Sequence, residues 1–246
     1  MKQIRWGILS TGTIARTFVE GLRELPDAAV VAVGSRSAES AEAFGARYSI
    51  PRRHASYEAL AADPDVDVIY IGTPHTLHAE NTRLCLEAGK AVLCEKPFTI
   101  NAAEARSIVE LARARGLFLM EAMWTRFRPH MVALRQAIAD GAIGEPRLVR
   151  AELCFRAEFD PAHRLFNPEL GGGALLDVGV YPIAFAHMVF GAPERIVSMP
   201  HLGATGVDEQ MAATLGYSGG RMAVCTAATR TPTAPGATVA GSEGWI

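Results

Sequence analysis

Residues 90–98 read KAVLCEKPF, an apolar run of strand type that stops at Glu95-Lys96-Pro97. Pro97 cannot donate to a sheet ladder and biases Lys96 towards an extended conformation, so a lysine is presented where a strand ends. In a parallel α/β sheet, ligands bind in the crevice outside the carboxyl ends of the strands. Taken alone, Lys96 reads as a solvated charge after a strand. Its meaning depends on what the neighbouring strands deliver.

Upstream, Gln3 to Leu9 reads as a strand running into Ser10-Thr11-Gly12-Thr13-Ile14-Ala15 and then an amphipathic helix to about Leu25. Strand, glycine turn and helix N-terminus are the context of a dinucleotide fingerprint, in which free N–H groups face a pyrophosphate. Ser10 stands where the first glycine of GxGxxA is expected, while Gly12 and Ala15 are in place. The second strand, Ala29 to Val33, ends in Gly34-Ser35-Arg36-Ser37. An NAD site places an acid there for the ribose 2′-OH and an NADP site an arginine for the 2′-phosphate, so Arg36 favours NADP over NAD. The bland alternative is a surface arginine opening the helix Ala38 to Tyr48.

A short extended piece (Pro51 to His54) and a helix (Tyr57 to Ala62) lead to the apolar strand Val66 to Ile71. It ends in Gly72-Thr73-Pro74-His75, and the next helix carries His78 and stops at Gly89. Asn101 with Glu104 makes a capping box for the helix that ends at Gly116. Leu117 to Met120 is a further strand, delivering EAMWTRF (121–127). Strands alternating with helices at this spacing predict βαβ units and a parallel sheet, with Thr73-Pro74 and Lys96-Pro97 on one edge. Trp124, Arg126 and Phe127 read either as a cap on the core or as the rim of a pocket for a ring-shaped substrate.

Beyond the helix Pro129 to Asp140 the pattern changes to alternating strands: Arg147 to Arg156, Val197 to Leu202, Met211 to Tyr217 and Arg221 to Thr229. The expected organisation is a dinucleotide-binding domain, 1–124, and an α+β substrate and dimerisation domain, 125–246, with an open antiparallel sheet. Between the first two of those strands lies GGGALLDVGVYP (171–182). A triple glycine entering an apolar helix allows close approach to a ligand and leaves helix N–H groups free. Asp177 and Tyr181, four apart, share a face, and Pro182 predicts a kink at Tyr181. The alternative is a buried Asp and Tyr satisfying each other in a core.

The chain is 49% hydrophobic and 20% charged over 246 residues, with a formal net charge of -2. That is an ordinary globular composition with no electrostatic case for nucleic acid or anionic membrane. Neither a positively charged leader nor an apolar run of spanning length stands out, so the expected location is cytoplasmic. Cys85, Cys94, Cys154 and Cys225 are widely spaced and read as buried thiols, not as a disulfide framework or a metal site.

Taken together, the near-GxGxxA turn, Thr73-Pro74 with His78, Glu95-Lys96-Pro97, and Gly171-Gly172 with Asp177 and Tyr181 resemble the glucose-fructose oxidoreductase and inositol dehydrogenase family of NAD(P)-dependent enzymes. LFLMEAMWTRFRP (117–129) and GGGALLDVGVYP are similar to its dimeric dihydrodiol and NADP-dependent D-xylose dehydrogenase branch. The resemblance implies a Rossmann doubly wound sheet followed by the α+β domain. It puts Ser10, Thr11, Gly12, Thr13 and Ile14 at the pyrophosphate and Ser35 and Arg36 at the 2′-phosphate. Thr73, Pro74, His75, His78 and Glu95 fall around the ribose and nicotinamide, with Lys96 beside the reacting carbon. Tyr181 matches the proton-transferring tyrosine, and Trp124, Arg126 and Phe127 border the substrate.

The chemistry is coherent on its own terms. Oxidising a secondary alcohol sends a hydride to nicotinamide and a proton to a base. Free tyrosine, with a pKa of about 10, is a poor acceptor near neutrality, and a nearby ammonium favours the phenolate. That suggests Tyr181 as acid/base, Lys96 as its electrostatic partner and Asp177 as orienting group, with the first two roles exchangeable. The substrate expected is a sugar or cyclic diol, and no metal is implied. Reduction of a sugar ketone would use the same residues in reverse, and a non-catalytic dinucleotide-binding fragment is the rival of another class. Two departures stand out: Ser10, and a C-terminal stretch, ATVAGSEGWI (237–246), that stops where the family's second sheet is expected to continue. An edge left open in this way calls for further strands or a partner subunit, and the expected assembly of a complete form is a homodimer.

Overall fold

A computed structural model describes residues 3–246, which fall into two compact units that divide between Ala122 and Met123. In the first, six parallel strands lie in the order β3-β2-β1-β4-β5-β6. They are β1 (Ile4–Leu9), β2 (Ala28–Gly34), β3 (Arg52–His54), β4 (Val68–Ile71), β5 (Ala91–Cys94) and β6 (Leu119–Glu121). Helices α1 (Thr13–Leu22), α2 (Ala38–Arg47), α3 (Tyr57–Ala61), α4 (His78–Glu87) and α5 (Ala102–Arg115) make the connections. This is the Rossmann strand order, and it reverses between β1 and β4.

Each central strand buries both faces, which is why these segments read as continuous apolar runs. Leu9, Ile69, Ile71, Val92 and Cys94 enter one core and Ile8, Tyr70 and Leu93 the other. Register then fixes the working edge. Leu9 pairs with Gly34 and Ile71, Ile71 with Cys94, and Cys94 with Glu121, so the four turns that follow start on one level. The two lysines of the opening stretch part company here. Lys90 is buried, its Nζ donating to the carbonyls of Asp63 (2.6 Å) and Val66 (2.9 Å), whereas Lys96 stands at the carboxyl edge.

The second unit carries α6 (Pro129–Ala139), β7 (Pro146–Cys154), α7 (Val180–Phe190), β8 (Arg195–Leu202), β9 (Asp208–Gly216), β10 (Met222–Ala228) and β11 (Gly236–Gly241). Its sheet has the order β11-β7-β10-β9-β8, and β7 and β10 are parallel where an antiparallel sheet was expected. The reason is the crossover. A loop and α7 separate β7 from the β8-β9-β10 meander, and connections of that length return a chain in the same direction. α7, through Ala186, and the turn before it, through Val178, share one core with Ala151, Ala213, Ala223 and Ala227 of the sheet. By length and composition Pro168–Phe190 could cross a bilayer, contrary to the expectation that no run was long enough, but here it forms the core helix.

The triple glycine also differs from expectation. A Cβ on Gly172 would lie 2.8–2.9 Å from the carbonyl oxygens of Arg164, Leu165 and Asn167, and one on Gly173 (φ 119°) would strike Asp208. The close approach is made by the protein's own chain. The helix N-terminus is not free either, because Asp208 Oδ2 accepts from the Leu175 N–H at 2.7 Å. Pro182 is absorbed by a π-helical turn, Leu175–Gly179, just before α7, a widening that avoids the clash with the carbonyl four residues back. Asp208→Ala is expected to cost about 0.5–2 kcal/mol in urea unfolding, since it removes the side-chain acceptor of the Leu175 N–H at the start of the helix.

Candidate active site

At the edge of the first unit, the β1–α1 turn is held by Ser10, whose φ is 125° and whose Oγ accepts from the Gly12 N–H at 3.2 Å. A left-handed backbone at a non-glycine residue costs about 1–3 kcal/mol, which accounts for the glycine expected there. Gly12 caps α1 without a side-chain hydrogen bond, and Gly12, Thr13 and Ile14 are exposed. An open helix N-terminus with uncapped N–H groups suits an anion.

Beyond β2, Ser35 is buried and its Oγ accepts from the Ser37 N–H, while Arg36 is exposed. Arg36, Ser56, Tyr57, Leu77 and Asn81 share a cleft of about 470 Å³. At the end of β4, Thr73 is buried, Pro74 exposed and His75 half-buried. His78 has no exposed surface, and its two ring nitrogens face the carbonyls of Pro97 (Nδ1, 2.7 Å) and Thr73 (Nε2, 2.9 Å). It ties two edge turns together and presents no free nitrogen to a ligand. Burial pushes its pKa below the ordinary value, against the pull of the two carbonyls.

At the end of β5, Glu95 accepts from the Tyr70 hydroxyl at 2.6 Å and from the Lys96 N–H at 3.2 Å. Burial pushes the Glu95 carboxyl up, opposed by those hydrogen bonds and by the Lys96 charge. Glu121, at the end of β6, accepts from the Phe98 N–H at 2.9 Å, and its carboxyl is pushed up by burial and by the charge of Glu95. The sequence reading gave Glu121 no role, although a lone carboxylate at the end of an apolar strand was the available signal.

In the second unit, Trp124, Arg126 and Tyr181 line a cavity of about 480 Å³ together with Met131, Phe185 and Met188. The Trp124 Nε1–H donates to the Tyr181 hydroxyl oxygen at 3.0 Å, with the rings edge to face, and the Arg128 guanidinium lies 5.3 Å from the Trp124 ring centre. A donor aimed at that oxygen stabilises negative charge on it. Phe127, 60% exposed, lies outside the lining. Asp177 is buried and pairs with Arg164, a partner the spacing argument did not identify.

Ser10 offers a direct check. Alanine normally exceeds glycine in stability within regular structure, but here Ser10→Gly is expected to be more stable than Ser10→Ala by about 1 kcal/mol in urea unfolding. The usual ranking would mean that residue 10 is not left-handed.

Comparisons with known proteins address the family and the fold. Residues 4–123 match the model described as an oxidoreductase family with an NAD-binding Rossmann fold, and residues 131–246 match the GFO/IDH/MocA C-terminal domain. The chain is 48% identical over 221 residues to a trans-1,2-dihydrobenzene-1,2-diol dehydrogenase of Bos taurus, covering 88% of this chain and 65% of that one. It is 42% identical to the enzyme of that name from Xenopus tropicalis, covering 98% of this chain and 74% of that one. It therefore spans about two thirds of the length of the curated relatives it matches. Among solved structures it is similar to KijD10, a 3-ketoreductase from Actinomadura kijaniata in complex with NADP and TDP-benzene. That match has 32% identity and a TM-score of 0.90, covering 98% of this chain and 74% of that one. Another is an aldose-aldose oxidoreductase from Caulobacter crescentus complexed with glycerol, at 27% identity and a TM-score of 0.92, covering 99% and 76%. With both halves matched in order and a 42%-identical relative covered over 74% of its length, this chain belongs to the GFO/IDH/MocA family of oxidoreductases.

Proposed function

We propose that this chain is an NADP-dependent dehydrogenase that oxidises a secondary hydroxyl of a cyclic trans-diol or a sugar. The observation that carries the cofactor reading is the end of β2, where exposed Arg36 and buried Ser35 occupy the place of a ribose-binding acid, beside the open N-terminus of α1. The uncapped N–H groups of Thr13 and Ile14 and the room above Gly12 fit a pyrophosphate, and the Arg36 cleft fits a phosphorylated ribose. Held at this edge by Gly12, Thr13, Ile14 and Arg36, a nicotinamide dinucleotide would supply the hydride acceptor for the carbinol carbon.

The protein's own part is proton handling and placement. Tyr181 Oη takes the proton from the substrate hydroxyl, held by the Trp124 N–H, and Lys96 supplies the ammonium that favours the phenolate. Asp177, fixed by Arg164, orients this group. Trp124 and Arg126 border the ring of the substrate, and the apolar lining of Met131, Phe185 and Met188 favours a hydroaromatic diol. The names of the curated relatives support the diol reading. The 3-ketoreductase relative supports a second direction, reduction of a ketone.

Titration of the purified chain with NADPH and NADH, followed by nicotinamide fluorescence, tests the cofactor reading. NADPH is expected to bind the more tightly, and Arg36→Ala to weaken it about 10-fold or more while leaving NADH unchanged. Tyr181→Phe is expected to lower kcat about 100-fold or more without changing dinucleotide affinity. Absence of binding by either dinucleotide would favour a non-catalytic fragment.

We also propose a homodimer through the second sheet, supported by the outermost strand β8, where Ile196, Val197 and Met199 are 56–79% exposed. Sedimentation is expected to show a dimer that Met199→Lys dissociates; a monomer at all concentrations would count against it.

A further inference from the structure

The turn that carries Lys96 is gripped at three consecutive residues by side chains. The Lys96 N–H donates to Glu95 Oε2 at 3.2 Å, the Pro97 carbonyl oxygen lies 2.7 Å from His78 Nδ1, and the Phe98 N–H donates to Glu121 Oε1 at 2.9 Å. The side chains come from the residue that follows β5, from α4 and from β6. Past the end of a strand, backbone groups have no ladder partner and water ordinarily serves them. Here a fully buried histidine and a half-buried carboxylate serve them instead, and His78 Nε2 reaches on to the Thr73 carbonyl at 2.9 Å. Asn81, one turn along α4, donates to Thr73 Oγ1 at 3.2 Å.

We propose that His78 and Glu121 are the positioning residues of Lys96: gripping the Pro97–Phe98 peptide by its carbonyl and its N–H, they set where the Lys96 ammonium stands and link it to the Thr73 turn. The functional part of this rests on the reading of Lys96 as the lysine beside the reacting carbon. Its placement can be read without any turnover, because the chain has only three lysines, Lys2, Lys90 and Lys96. A protein labelled with 13C at lysine Cε therefore gives three signals, assigned with Lys96→Arg.

Glu121→Ala and His78→Leu are each expected to shift or broaden the Lys96 signal while that of buried Lys90 stays in place. In Glu121→Ala, amide exchange at Phe98 should rise about 10-fold or more. In the same variant kcat should fall about 10- to 100-fold with KM and the NADPH dissociation constant nearly unchanged, as misplacement of a reacting group predicts. Glu121→Gln, which keeps an oxygen for the Phe98 N–H, should return all these readouts to within about 3-fold of the parent. Glu121→Leu reads the same way if the alanine variant does not fold. The proposal is overturned if the Lys96 signal stays put while Phe98 exchange rises, or if Glu121→Gln is as impaired as Glu121→Ala. A parent that turns nothing over would sink the dehydrogenase reading, and the lysine spectra would still decide the placement.

Discussion

Parallel strands that end on one level leave the residues after them without ladder partners, and this constraint organises the first half of the molecule. Leu9, Ile71, Cys94 and Glu121 stand in one register row, so the Ser10, Gly72, Glu95 and Ala122 turns open side by side. The row exists because the strands before it bury both faces: Ile8, Leu9, Ile69, Tyr70, Ile71 and Val92 have no exposed surface. A strand fixed on both faces cannot slip by one residue without turning every side chain over. The apolar core thus holds the polar edge to a fixed place in the register.

The polar edge is costly in its own way. Ser10 holds a left-handed backbone that glycine would adopt without strain, and Glu95 and Glu121 keep carboxyls that burial pushes up. Both ring nitrogens of His78 face backbone carbonyls. Such departures from local preference cluster where a surrounding structure over-determines them, and here they cluster around the turns of the sheet's carboxyl edge. In the second unit the same principle shows in Asp208 and the triple glycine: a carboxylate from β9 and three carbonyls crowd the entry to the π-helical turn.

Much of this was legible in the amino-acid sequence, because apolar runs at βαβ spacing allow little but a parallel sheet, and strand ends show where the edge turns begin. Ser10-Thr11-Gly12, Ser35-Arg36, Thr73-Pro74 and Glu95-Lys96 could be placed on one edge from periodicity and punctuation alone. The strand expected over Val197 to Leu202 was also found, as β8, although all its residues are exposed. What could not be read was any partner far along the chain. Asp208 on Leu175, Arg164 on Asp177, Trp124 on Tyr181 and Glu121 on Phe98 are pairs that no local spacing connects.

The sequence by itself determined the parallel class of the first sheet, the order of its six strands' turns and the residues that stand at them, because side-chain periodicity and turn chemistry are local properties. Only the tertiary structure decided that β7 and β10 run parallel, that the triple glycine makes room for the protein's own backbone, and that His78 faces inward. Those outcomes depend on which segments meet across long stretches of chain. Hydrogen bonding and close packing choose those meetings at distances that no window of sequence contains.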